Sequence, residues 1–447
     1  MILQRIIKET EGISINGTFV ICRLTSLKQP AIIVLVSKDE KNLSFESGEP
    51  MKLIKRAQYL NRMLELRGTP DIKIITGVRR SGKSKLLEAF ISQIRQDEDA
   101  NVIFVDLVDL QNEPLKEYHA LHQYVIEHYQ EGKDNILCID EVQMCPNFEL
   151  AINSLHASGK YDIYLTGSNA FLLSADLATL FTGRYLEIHV LPFSFAEYCD
   201  YYGDRRNVDE MFDEYVVRGG LAGSYAYKNE RDRINYIREV YTTIVQRDLV
   251  TKYKLPDTAV LEHLSEFLMD NVSNLTSPNK VSTTLTANQI TTNHVTIGKY
   301  VQYLCQAFVF YDVKRYDIRG KKYLDTSDKY YLVDTGIRYA VLGSRNMDYG
   351  RLYENIVCME LLRRGYEVYI GKLYAKEVDF VVMRGGEKFY IQVSDDISNP
   401  DTFKREYSPL QQIADSYPKL ILARTKHPAY DYEGIQIIDI ARWLLEK

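Results

Sequence analysis

The residues Gly77-Val78-Arg79-Arg80-Ser81-Gly82-Lys83-Ser84 set glycines, a lysine and a hydroxyl at the spacing G-x-x-x-x-G-K-[ST]. Glycines at those positions let the backbone curl until successive N–H groups face one anion, and a following helix adds a favourable dipole. Lys83 would neutralise phosphate charge, and the Ser84 hydroxyl would hold Mg²⁺. The flanks agree: the apolar run Ile72-Lys73-Ile74-Ile75-Thr76 comes first, and Lys85-Leu86-Leu87-Glu88-Ala89-Phe90 follows with a helical pattern. Gly77, Arg80, Ser81, Gly82, Lys83, Ser84 and Lys85 are therefore the candidate nucleotide contacts. Arg79 and Arg80 fill variable positions of the pattern. Solvated arginines are expected there, with contact to nucleotide or to another domain as the competing role.

A second set of residues would act on the bound phosphates. Asp140-Glu141 ends the apolar run Ile136-Leu137-Cys138-Ile139. Asp140 would orient Mg²⁺ or its water, and Glu141 would polarise a water for attack as general base. A nucleotide kinase needs only the aspartate, whereas a hydrolase needs the extra carboxylate. Further along, Thr166-Gly167-Ser168-Asn169 ends another apolar run. Asn169 or Ser168 could hold the attacking water or sense the γ-phosphate; capping a helix over 170–173 is the competing role. Arg184 is a candidate arginine finger, acting in its own or a neighbouring subunit, against the alternative of a surface salt bridge.

These side chains need a sheet to carry them. Strands are predicted at Val102–Asp106, Ile136–Ile139, Ile163–Leu165 and Tyr185–Ile188, with helices at Leu115–Tyr129 and Phe148–His156 between them. Such alternation gives an α/β parallel sheet. One strand separates the loop from Asp140, the mark of the P-loop branch with an inserted central strand. Residues 206–253 read as a helical lid broken at Gly219-Gly220, in which Arg218 and Arg247 are expected to be structural. Residues 257–325 read as a winged helix: helices at Val260–Met269, Ser277–Leu285 and Thr296–Phe308, the last capped by Thr296, and then a hairpin. Lys314, Arg315, Arg319, Lys321 and Lys322 make its wing a basic cluster, suited to DNA phosphate, while winged helices also serve as protein-binding modules.

Composition bounds the rest. The 447-residue chain is 45% hydrophobic, enough for several cores, and its net charge of −6 confines any nucleic-acid contact to a local patch. None of its six cysteines forms a C-x-x-C pair, which suits a reducing cytoplasm. The longest early apolar run, Ala31–Val36, is too short to span a bilayer, and no signal peptide is evident. Residues 1–50 read as short strands and loops. Gly48-Glu49 can be encoded by a purine-rich ribosome-binding sequence, so Met51 as the true start competes with a genuine small N-terminal β-hairpin.

Taken together, the loop, Leu137-Cys138-Ile139-Asp140-Glu141-Val142-Gln143, Leu165–Asn169, Leu180–Arg184 and Leu191–Tyr198 resemble a prokaryotic AAA-type ATPase family with a C-terminal domain of unknown function. The resemblance continues at Tyr330–Gly336 and Glu377–Phe380 and covers about residues 51–425. It implies the fold and ATP binding more than a pathway. The last region resembles a restriction-endonuclease-like fold, with Glu354 on a helix and Asp379 on a strand. The next strand offers Gln392 and Ser394 where a carboxylate and a lysine would be needed, so nuclease chemistry is expected to be absent. The expected order is an extension (1–50), an ATPase core (51–205), a lid (206–256), a winged helix (257–325) and a degenerate nuclease-like α/β domain (326–447). The expected function is hydrolysis of Mg-ATP to drive or gate a DNA or protein contact. The competing functions are a non-hydrolytic nucleotide switch that binds a partner protein and, opposed by Gln392 and Ser394, an ATP-dependent nuclease.

Overall fold

The computed structural model describes residues 14–16, 19–24, 31–36 and 54–446, except 168–180, 182, 204–206, 257 and 346. The chain divides into two units, 1–53 and 54–447. In the first, β1 (Ser14–Asn16), β2 (Phe19–Leu24) and β3 (Ala31–Val36) form an antiparallel sheet in that order.

The second unit begins with α1 (Ala57–Glu65), β4 (Ile72–Thr76), α2 (Lys83–Ile94), β5 (Ala100–Asp106), α3 (Tyr118–Glu127), β6 (Asp134–Asp140), α4 (Phe148–Ala157), β7 (Asp162–Thr166) and β8 (Tyr185–His189). The strands pair in parallel in the order β5-β6-β7-β4-β8, so β7 is the inserted strand between the loop and Asp140. Both faces are covered, which is why these strands are almost wholly apolar. Period-two alternation sorts their side chains. Ile74, Leu137, Ile139 and Leu165 pack with Leu121, Val125 and Ile152, while Ile75, Ile136, Cys138 and Tyr164 pack with Leu60, Leu87 and Phe90.

Helices α5 (Phe195–Tyr202), α6 (Val208–Arg218) and α7 (Glu230–Thr243) follow, and α7 runs on as a π-helical segment, Ile244–Thr251. Next come α8 (Thr258–Asp270), β9 (Leu275–Thr276), α9 (Pro278–Ala287), α10 (His294–Gln306), β10 (Phe310–Asp317) and β11 (Lys322–Leu332). The cap of α10 is Asn293, not Thr296. Its side chain accepts from Val295 N and Thr296 N, each at 3.0 Å. Asn293 is an extended residue with a strong capping side chain, so it starts the helix earlier.

The chain ends with α11 (Thr335–Leu342), α12 (Tyr349–Arg363), β12 (Glu367–Leu373), β13 (Lys376–Arg384), β14 (Glu387–Ser394), α13 (Pro400–Gln411), β15 (Lys419–Ala423), β16 (Tyr430–Tyr432), β17 (Ile435–Asp439) and α14 (Ile440–Leu445). The expected boundary at 325/326 falls inside β11. Strands β9 to β17 form one nine-stranded sheet, in which Arg315–Asp317 of β10 pairs in parallel with Ile370–Lys372 of β12. The hairpin would otherwise present an unpaired edge, and β12 covers it.

The Gly219-Gly220 break is a junction. Phe193 N donates to Gly220 O at 2.8 Å, and Gly220 N donates to Asp334 Oδ2 at 2.5 Å. A Cβ on Gly219, whose φ is +68°, would lie 1.9 Å from Asp334 Oδ1, and one on Gly220 would lie 2.2 Å from Phe193 O. Asp334 also caps α11 through Gly336 N at 2.9 Å. Its burial pushes the carboxyl up to about 6.

Candidate functional site

The loop joins β4 to α2 with backbone angles that side chains resist. Gly77 has φ +137° and Gly82 φ +96°, and a Cβ on Gly77 would meet Val190 O at 2.1 Å. Arg80 also has positive φ, +66°. The loop carbonyls are held by buried cations. Lys83 Nζ donates to Gly77 O at 2.9 Å and Val78 O at 3.2 Å. Arg56 Nη1 donates to Ser81 O at 2.8 Å, while its Nε and Nη2 form a fork on Glu197, both at 2.9 Å. Ser81 Oγ is buried with no hydrogen-bond partner, a group that a phosphate oxygen would satisfy. Burial pulls the Lys83 ammonium down to about 8; Glu141 and Asp140 oppose this and Arg79 adds to it. Lys85 pairs its side chain with Glu88 at 2.7 Å on the exposed surface.

Asp140 ends β6 beside the loop. Its carboxylate accepts from the Thr166 and Ser84 hydroxyls; burial raises its pKa and these bonds lower it. A carboxylate paired with the hydroxyl after the loop lysine, both facing a phosphate cradle, is a donor set that fits Mg²⁺. Glu141 sits in the left-handed region, φ +53°, an uncommon place for a glutamate and a recurrent one at functional sites. Its N–H donates to Thr166 Oγ1 at 3.1 Å, and its carboxylate accepts from Gln143 Nε2. Thr166 thus joins Asp140 to Glu141. Ser168 and Asn169, the residues expected to hold the water, lie outside the described residues. The usable signal for Thr166 was that β7 abuts β6, with Ile139 paired to Leu165.

Two arginine expectations change. Arg184 lies at the far end of the sheet from the loop: its carbonyl accepts from Ile72 N, the first residue of β4, at 3.0 Å. The four residues to Thr76 span about 13 Å. An in-cis finger is therefore excluded, because the loop leaves the other end of the strand. Arg79, expected to be solvated, is instead paired with buried Asp248, Nη2 to Oδ1 at 2.7 Å. Nothing in local spacing announces a pair 169 residues apart.

The C-terminal region gathers Glu354, Glu377 and Asp379 around a cation. Lys329 Nζ lies 2.9 Å from Glu354, 2.7 Å from Glu377 and 3.9 Å from Asp379. Burial raises both Glu354 and Asp379, and the Lys329 charge opposes it. Gln392 bridges Asp379 N and Glu406, each at 2.7 Å, and Ser394 Oγ turns to Asp396 O. The positive charge missing at Ser394 comes from β11, which the sequence reading overlooked. Among the described residues no group of three or more His, Cys, Asp or Glu side chains is arranged to hold a metal ion.

An AAA domain family model matches residues 69–199, and a model named Domain of unknown function (DUF8612) matches 209–348. With the sheet order and loop above, the core is of the AAA-type, P-loop class. An uncharacterized protein of Haemophilus influenzae is 37% identical over 400 residues, covering 88% of this chain and 99% of that one. The chain belongs to the family of that protein. An uncharacterized protein of Methanocaldococcus jannaschii is 26% identical over 426 residues, covering 92% and 94%. Among solved structures, replication initiator DnaA bound to AMPPCP and single-stranded DNA is similar at 16% identity and TM-score 0.30, covering 56% of this chain and 86% of that chain.

Two outcomes are expected. Phosphate will raise the Lys83 pKa above its free value of about 8. Binding of a non-hydrolysable ATP analogue should therefore weaken about tenfold per pH unit above pH 8; a flat calorimetric affinity to pH 9.5 would remove that role. Lys329→Met leaves buried carboxylates unpaired and should cost about 3–5 kcal/mol of stability at neutral pH. The loss should shrink at pH 5.5 as they protonate, and an unchanged melting temperature would contradict it.

Proposed function

We propose that the protein binds Mg-ATP at 77–85, hydrolyses it, and uses the nucleotide state to drive or gate a DNA or protein contact made by its C-terminal half. The observation that carries this is the convergence of Lys83, Ser84, Asp140 and Glu141 on one cradle, with Thr166 linking the two acids. The N–H groups of Gly77, Arg80, Ser81, Gly82, Lys83, Ser84 and Lys85 receive phosphate oxygens. Lys83 exchanges its two carbonyl bonds for phosphate. Ser84 and Asp140 would hold Mg²⁺, which would supply positive charge against the phosphates. Glu141 takes the proton of the attacking water, and Asn169 is the candidate to position that water. Arg184, at the end of the sheet away from the loop, serves a neighbouring subunit. The left-handed backbone of Glu141 and its Gln143 contact hold the carboxylate still before substrate arrives. No helix among the described residues is long and apolar enough to cross a membrane. From the cysteine pattern we read the protein as cytoplasmic.

Residues 258–332 run helix–strand–helix–helix–hairpin, the order of a winged helix, and we read them as one. DNA is favoured as its partner by the hairpin tip. Lys314, Arg319, Lys321 and Lys322 are exposed and Arg315 is half-buried. Ile318 N bonds Lys372 O at 3.0 Å, and Arg319 lies 5.1 Å from the ring of Tyr374, so the β12–β13 tip extends the patch. The ion-paired Lys329 cluster supports a structural role there rather than a nuclease.

Glu141→Gln should bind ATP with near-native affinity yet lose turnover by at least about a hundredfold; unchanged turnover refutes its role. Lys83→Ala should lose ATP binding in the same assay. Duplex DNA should stimulate the ATPase with a steep salt dependence. Equal rates with and without DNA at low salt would leave the protein-partner reading.

A further inference from the structure

Arg79 is a variable position of the loop, yet its guanidinium forks onto a distant, buried carboxylate. Nε donates to Asp248 Oδ2 at 3.1 Å and Nη2 to Oδ1 at 2.7 Å. The Asp248 side chain is 5% exposed and sits on the π-helical segment that joins α7 to α8. Arg79 also stands within the field of the phosphate site. Burial opposes its charge, while Asp248 and then Glu141 favour it; Lys83 in turn feels Glu141, Arg79, Asp140 and Asp248. Arg79 is itself the third residue of the phosphate loop, so its side chain starts beside the cradle.

A second polar path leaves the same strand. Thr76 Oγ1 donates to Glu187 at 2.5 Å and lies 3.0 Å from His189 Nδ1. His189 Nε2 lies 2.6 Å from the Tyr311 hydroxyl on β10. With Thr76 donating to Glu187, Nδ1–H donates to Thr76 and Nε2 accepts from Tyr311. Burial holds the ring at about 4, so it stays neutral, as this pattern requires.

We propose that Arg79 is a positioning residue that answers the γ-phosphate, and that Asp248 is its partner only while no triphosphate is bound. The inference rests on the nucleotide reading above. A guanidinium fork fits carboxylate and phosphate alike, so the two compete for it. Once Arg79 turns to phosphate, Asp248 is a buried carboxylate without its cation, and such a charge does not stay where it is. The segment that carries it is π-helical, a form rare in proteins and recurrent at functional sites. That segment shifts, and α8–α10 shift with it, about the Thr76–His189–Tyr311 contact as pivot.

The test is calorimetry of the full chain with Mg-AMPPCP and Mg-ADP, alongside hydrogen exchange over 244–251. Arg79→Ala should lower the preference for the triphosphate by about tenfold or more, the worth of a charged hydrogen bond, with ADP affinity little changed. Asp248→Asn keeps the shape and removes the competitor, and should raise that preference by about tenfold. AMPPCP should speed exchange in 244–251 in the wild type and not in Arg79→Ala. A merely structural pair would weaken both nucleotides together. A wild-type preference retained in folded Arg79→Ala overturns the inference, and this variant decides if Asp248→Asn does not fold. A wild-type chain that binds neither nucleotide overturns the nucleotide reading and this inference with it.

Discussion

Before nucleotide arrives, the phosphate loop keeps its shape because its carbonyls are tied to buried cations. Lys83 takes Gly77 O and Val78 O, and Arg56 takes Ser81 O. With those carbonyls engaged on one side, the intervening N–H groups are left for a ligand on the other. A buried ammonium satisfied by two carbonyls alone is an uneasy charge, and its lowered pKa records that. Arg56 spreads the constraint further. Its fork on Glu197 lies at the start of α5, where Ser194 and Glu197 cap each other's backbone, so the helix start and the loop share one guanidinium. Without α1 to supply Arg56 and 190–197 to crowd Gly77, the glycines would have no reason to hold one curl.

The C-terminal half is wired to this assembly by buried polar contacts. Arg363 of α12 reaches Pro192 O at 2.6 Å and the Tyr59 hydroxyl at 2.9 Å. Asp334 reaches Gly220, which in turn receives Phe193 N. Buried pairs of this kind add little net stability, but they fail badly when misaligned, and so they fix a relative placement. The Lys329 cluster belongs to the same style of construction. A cation drawn from β11, separated from β13 by β12 and β10 in the sheet order, satisfies acids that would otherwise demand a metal or protons.

What was legible in the sequence was local. The loop could be read because phosphate binding needs adjacent backbone N–H groups, and the strand order followed from one intervening strand before Asp140. The hairpin after α10 showed in the alternation of Phe310 to Val313. What was not legible was what meets it. β10 has two edges, and alternation says nothing of β12 on the second, so a domain boundary was set inside β11. Arg79 was expected in solvent and Lys329 drew no expectation for the same reason: charged residues look solvated until a distant segment brings the opposite charge. The cap of α10 was missed more simply, since Asn293 and Thr296 both cap helices and only the backbone angles separate them.

The sheet from β16 to β9 crosses the border between the C-terminal strands and the helices beside the ATPase core. Backbone hydrogen bonds make it a plate, stiff against sliding of one strand past the next. A hairpin built on such a plate has no wrist of its own. The glycine pair at 219–220 is pinned by Asp334 and Phe193, so bending is left to the connection from the π-helical segment into α8. Any load on the outermost strand, β16, therefore arrives there, beside the segment that holds Arg79 of the phosphate loop.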